Sequence, residues 1–133
     1  MREILFRAKA INRDKGYHRS NYKNGDWVYG LITRLYDERF ENLPAEMTDL
    51  NGVSGIEIDY NTICQYTGLT DKNGNMIWEN DVVRLSKLFG SEIGQVVYLA
   101  PSFNSYCKAY GYTQLCGEVI GNIFDHPDLL KGE

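Results

Sequence analysis

Cysteine, histidine and proline are all scarce in this sequence, and long apolar runs are missing altogether. Three cysteines (Cys64, Cys107 and Cys116) are too few, and too odd in number, for the disulfide framework of a small secreted domain. The two histidines, His18 and His126, stand far apart, and Cys107 and Cys116 form no Cys-x-x-Cys pair, so no four-ligand zinc spacing arises. The thiols read as buried and unreactive. Nothing approaches the roughly 18 apolar residues of a membrane span, and the opening stretch is too short in apolar residues for a signal peptide. No Asn-x-Ser/Thr sequon appears. The expected setting is a reducing cytoplasm, with no membrane partner.

Catalytic signatures are missing too. There is no G-x-S-x-G, Walker loop or G-x-G-x-x-G. A nucleophile with an adjacent base could be assembled only from pairs such as Cys64–His18 or Cys116–His126, which nothing in the spacing favours. No enzyme activity and no cofactor are expected.

What the chain does have is tyrosine: ten, beside two tryptophans and five phenylalanines in 133 residues. Aromatics suit the pleated surface of strands and recur at binding surfaces. The charge is uneven as well. Residues 1–23 hold seven of the fourteen cations against Glu3 and Asp14, a net +5, whereas the rest of the chain is −9. An acidic body repels phosphate backbones. The basic segment is therefore the one place from which nucleic acid would be bound, unless it complements the acidic body of the same or a neighbouring molecule.

Alternation carries the fold. Residues 4–10 place Ile4, Phe6, Ala8 and Ala10 on one face and Arg7 and Lys9 on the other, the period of a half-buried strand. Asn24-Gly25 signals a turn, and residues 26–35 follow as a strand with Trp27, Tyr29, Leu31, Thr33 and Leu35 on one face and Gly30 as a bulge. Residues 36–53 are acidic and contain Pro44, and suit either a helical turn or a long loop; no motif aligns over 36–55. Short strands are expected at 55–59, 62–69, 76–78, 82–85, 93–99, 107–115 and 117–124, the last two paired through a break near Cys116-Gly117. Residues 100–106 read as loop, and 125–130 as one helical turn capped by Asp125 or His126. The strongest local signal is Asp71-Lys72-Asn73-Gly74 between two β-rich runs, a hairpin turn in which the Asp caps N–H groups and Asn-Gly accepts positive φ. Its Asp71-x-Asn73-x-Asn75 spacing mimics a calcium loop, but Met76 and Val82 stand at the sixth and twelfth positions, where Gly and Glu are needed. About eight strands argue for one mainly β domain over 1–133, a small barrel or two packed β units, with a subdivision at 1–60 and 61–133. Lys23-Asn24-Gly25-Asp26-Trp27-Val28 is faintly echoed by Glu79-Asn80-Asp81-Val82-Val83.

Four blocks in fixed order give the chain a resemblance. They are Met1-Arg2-Glu3-Ile4-x-Phe6-Arg7; Gly25-Asp26-Trp27-Val28-Tyr29-Gly30; Gln65-Tyr66-Thr67-Gly68-Leu69-Thr70-Asp71-Lys72-Asn73-Gly74 with Ile77-Trp78-Glu79-Asn80-Asp81-Val82-Val83; and Val119-Ile120-Gly121-Asn122-Ile123-Phe124-Asp125-x-Pro127-Asp128-Leu129-Leu130. Together they resemble the YopX-like family of phage and prophage proteins over the whole chain. Asn80 departs from the family's usual Gly but keeps tolerance of left-handed φ; His126 departs from Asn. The resemblance implies a fold related to SH3-like barrels and a phage-encoded origin, and supplies no activity. Trp27, Tyr66, Gly68, Asp71, Asn73, Gly74 and Asp81 are its structural motif residues. A non-enzymatic module for a protein partner is the leading expectation, with Tyr106, Tyr110 and Tyr112 as surface candidates and Trp27 and Trp78 assigned to the core. Nucleic-acid binding through the basic segment is the alternative, and edge strands leave self-association open.

Overall fold

A computed structural model describes residues 4–12, 22–35, 44–87, 90–99, 102–107, 111–114 and 117–130. The chain is mainly β, with antiparallel pairing throughout, and divides into two compact units, Ile4–Gln65 and a second running from Tyr66.

In the first unit, β1 (Phe6–Lys9) lies between β2 (Trp27–Arg34) and the start of β5 (Cys64–Thr70), while β3 (Glu46–Asp49) joins β2 to the short β4 (Ile56–Glu57). The inward residues of β1 and β2 are the small or branched ones: Ala8 and Val28 are fully buried, and with Ala10, Ala45, Met47, Ile56 and Ile58 they form the core. Each large aliphatic side chain so buried contributes about 1.5–3 kcal/mol. Trp27, Tyr29 and Leu31 share the opposite face. Trp27 is half-buried there and Tyr29 and Leu31 are exposed, so the expected core placement of Trp27 does not hold. Gly30 is not a bulge; the register shift falls between Ile32 and Arg34. Instead Gly30 lets β3 approach, since a Cβ there would lie 2.0 Å from the Thr48 carbonyl oxygen. The second half of segment 36–55, open between helical turn and loop, holds β3.

The second unit begins with the rest of β5, which pairs with β6 (Met76–Trp78) as the expected hairpin. A register shift between Tyr66 and Thr70 contains Gly68, whose φ of 86° explains the glycine at that point of the strand. Next comes a five-stranded sheet in the order β10-β9-β8-β7-β11: β7 (Asp81–Lys87), β8 (Gly90–Leu99), β9 (Ser102–Cys107), β10 (Gly111–Gln114) and β11 (Glu118–Asn122). Its inner face carries Val83, Leu85, Val96 and Phe103 with Ile77. Two expectations change. Residues 102–106 are strand, not loop, because Phe103 and Ser105 alternate inward, with Ser105 fully buried opposite Val96. β11 pairs with β7, not with β10. Among the described residues the order ends at β10 and β11 with no bond between them, so no barrel closes. A 3-10 turn at Pro127–Leu129, with His126 before it, follows β11.

Candidate functional site

The polar motif residues make one recurring device. Asp71 Oδ1 accepts the N–H groups of Asn73 and Asn75, each at 2.9 Å, while Asp71 N–H donates to the Asn75 carbonyl and Gly74 N–H to that of Asp71. Gly74 has φ 83°. The second oxygen, Oδ2, accepts Val119 N–H at 2.9 Å and ties the hairpin to β11. Asn73 Nδ2 reinforces the tie by donating to Glu118 Oε1, also at 2.9 Å. The Val119 bond leads in holding the Asp71 carboxyl below the usual range, and the Asn75 and Asn73 bonds add to it. The carboxylate is thus turned to backbone donors, and turn capping is its work.

Sequence reasoning missed a second copy of the device in the first unit. Asp49 Oδ1 accepts Asn51 N–H at 3.0 Å and Val53 N–H at 2.8 Å, Asp49 N–H donates to the Val53 carbonyl, and Gly52 N–H to that of Asp49. Its Oδ2 accepts the Tyr22 hydroxyl at 2.9 Å. Burial pushes the Asp49 carboxyl up, but the Val53, Tyr22, Asn51 and Gly52 donors bring it below its ordinary value. Burial, with the Asp49 bond and the charges of Asp49 and Asp26, raises Tyr22 to about 12. The signal was present: Asp49-Leu50-Asn51-Gly52 repeats the D-x-N-G of Asp71-Lys72-Asn73-Gly74.

The faint echo noted above is also structural. Lys23 N–H donates to Asp26 Oδ2 at 2.9 Å, and Trp78 N–H donates to Asp81 Oδ2 at 2.8 Å, three residues ahead in both cases. The residue before each Asp has positive φ: Gly25 at 90° and Asn80 at 70°. Asn122 closes the set, its Oδ1 accepting Phe124 and Asp125 N–H, while Ile123 N–H donates to the Asn80 carbonyl.

The aromatic candidates separate. Tyr66 and Trp78 are buried against each other, ring centroids 5.4 Å apart. Trp27 lies under two cations, with the Arg7 guanidinium 4.4 Å and Lys9 Nζ 5.3 Å from its ring centre. Two of the seven N-terminal cations are therefore engaged within the first unit. Tyr106 is 41% exposed on β9, on the side opposite Phe103 and Ser105, and β10 sets Tyr112 directly across from it in register. Tyr110, His18 and Cys116 lie outside the described residues. Cys64 is buried and its Sγ donates to the Thr62 carbonyl at 3.2 Å. Among the described residues no group of three or more His, Cys, Asp or Glu is placed to hold a metal ion, and no helix is long and apolar enough to cross a membrane.

A family model described as YopX protein matches residues 6–131. The chain belongs to the YopX family. The crystal structure of protein EF1440 from Enterococcus faecalis is similar, with 25% identity, a TM-score of 0.53, and coverage of 98% of this chain and 99% of that one. No curated protein matches. In YopX terms, the hairpin, the Asn80-Asp81 turn and the closing Asn122 block meet through backbone donors, and Asn80 fills a left-handed position as a Gly would.

Proposed function

We propose that this YopX-family chain is a non-enzymatic accessory protein, phage- or prophage-encoded, whose five-stranded sheet binds a protein partner through the face bearing Tyr106. One observation carries the reading: an exposed tyrosine stands in register with a second tyrosine, Tyr112, on the strand that ends the sheet order. A phenol offers apolar area with a polar tip at small conformational cost, which is why tyrosine is enriched at protein interfaces. In this reading the sheet acts as an SH3-like element that presents aromatics between strands. The conspicuous carboxylates Asp49, Asp71 and Asp81 accept backbone N–H groups, which favours binding over catalysis.

The test places a photo-crosslinking amino acid at 106, and at Tyr60 of the first unit, which is 50% exposed, as a control. A discrete protein adduct in host lysate from position 106 alone is expected, weakened by Tyr112→Ser in a chain that melts like wild type. The same adducts from both positions, or adducts to nucleic acid, would reject the reading.

A further inference from the structure

We propose that His126 is a pH-sensitive latch, holding the C-terminal turn on β11 only while its Nδ1 carries no proton. The geometry sets the requirement. Asn122 N–H donates to His126 Nδ1 at 3.3 Å, and His126 N–H donates back to the Asn122 carbonyl at 2.9 Å. A donor aimed at Nδ1 fixes the ring as neutral, with its proton on Nε2. The ring also lies on bare backbone: a Cβ at Gly121 would sit 2.6 Å from His126 Nδ1 and 2.8 Å from Leu129 Cδ1. Gly121 thus makes room for the imidazole and for Leu129 of the 3-10 turn, whose N–H donates to the His126 carbonyl at 3.2 Å. His126 caps no N–H of that turn with its side chain. Its ring is committed to Asn122.

Protonation converts Nδ1 from acceptor to donor and sets two N–H groups against each other. On β11 the ring lies against Gly121 and accepts the Asn122 N–H, and neither group compensates a charge. Among the described residues, the carboxylates beside it in sequence or register are Asp125, whose Oδ2 accepts Asn122 Nδ2 at 3.1 Å, Asp128 of the turn, and Asp81 of β7, in register opposite Asn122 and accepting Trp78 N–H. A protonated Nδ1 cannot accept the Asn122 N–H and must turn away from it. The latched form needs the neutral ring, so it is present at the alkaline end and lost when the ring takes up a proton. Opening uncovers Gly121 and the adjoining strand.

The experiment is an NMR titration of the full chain from about pH 8 to about pH 5, the window of imidazole protonation. The Asn122 amide signal should move with the His126 ring, with one shared midpoint. Exchange at Asn122 and Leu129, corrected for intrinsic rates, should rise about tenfold relative to Val83, the scale of one lost hydrogen bond. In H126N an amide oxygen can replace Nδ1 and does not titrate, so the response should flatten. In G121A the new methyl should open the turn already at the alkaline end, with Val83 protection reporting that the sheet is intact. An Asn122 amide that ignores His126 titration overturns the latch. So does an undiminished response in H126N, which would assign the effect to Asp125 or Asp128, or a closed turn in G121A.

Discussion

Gly30→Ala should be the most damaging single-methyl change in the first unit. Gly30 lies mid-strand in β2, opposite Phe6 on one side and Asp49 on the other. The added Cβ would lie 2.0 Å from the Thr48 carbonyl oxygen, 2.9 Å from Asp49 Cα and 3.0 Å from the Thr48 carbonyl carbon. Comfortable carbon contacts are about 3.5–4.0 Å, so β3 would have to retreat by an ångström or more from a spacing that ladder bonds hold near 4.8 Å. The opposing atoms are backbone, and the Asp49 turn and the Leu50 N–H bond to the Tyr29 carbonyl pin them. Relief therefore means breaking part of the β2–β3 ladder and loosening Met47, which is fully buried. Overpacking typically costs about 1–3 kcal/mol, and this site belongs at or above the top of that range. At about 4–8 °C per kcal/mol for a unit of this size, the midpoint should fall by about 12 °C or more. Gly52→Ala is the control. Gly52 has φ 85° and nothing within 4 Å of the new methyl, so only the left-handed backbone is penalised, by about 1–2 kcal/mol. Thermal denaturation by circular dichroism, with amide exchange at Met47 to localise the loss, compares the two. A Gly30→Ala chain melting with or above Gly52→Ala would refute the close-approach argument.

Gly74→Val should destabilise the second unit by about 1–2 kcal/mol or more through φ alone, since Gly74 has φ 83° and open space around it; Gly74→Asn should recover most of that in a urea titration. The folded state lowers the Asp71 carboxyl, so its stabilisation is present above the unfolded value of about 3.9 and lost as pH falls through the folded one. Acid unfolding of the second unit should therefore begin below about pH 4 and depend less on pH in Asp71→Asn, as followed by Val83 exchange. Tyr22 has the opposite sign: raised from 10.0 to about 12, it supports the fold fully below pH 10 and loses that support towards 12. Absorbance at alkaline pH should show a late-titrating tyrosine component that is reduced in Tyr22→Phe.

The parts of the fold legible in sequence were those written in local chemistry. Alternation marks β1, β2 and β4, and the D-x-N-G turn marks the β5–β6 hairpin before any partner is known. β3 escaped because four residues beside Pro44 show almost no period, and one inward residue is Asp49, whose burial is tolerated only through its four donors. β9 escaped because Ser105 is polar yet fully buried. The pairing of β11 with β7 is non-local, and no periodicity encodes it. At the candidate site, Tyr106 was legible as surface from its polar neighbours. Trp27 was not, because apolar residues on both faces of β2 hide which one looks inward, and the smaller side chains do.

The two turn types occur in opposite order in the two units. Lys23–Asp26 precedes Asp49–Gly52, whereas Asp71–Gly74 precedes Trp78–Asp81. A tandem copy would keep its order, so the turns lend no support to a duplication. What differs is the group held by Oδ2, and that difference can be tested. Asparagine at either position keeps Oδ1 for the turn but replaces Oδ2 with an NH2 donor. At position 71 that donor faces Val119 N–H, which can only donate, so the tie to β11 is lost. At position 49 it faces the Tyr22 hydroxyl, which can reverse and accept. Asp49→Asn should therefore leave Val53 amide protection nearly intact and return Tyr22 towards an ordinary titration. Asp71→Asn should keep Asn73 and Asn75 protected while exposing Val119. Equal loss of protection at Val53 and Val119 in the two variants would show that the carboxylate charge, not the donor it faces, holds both loops.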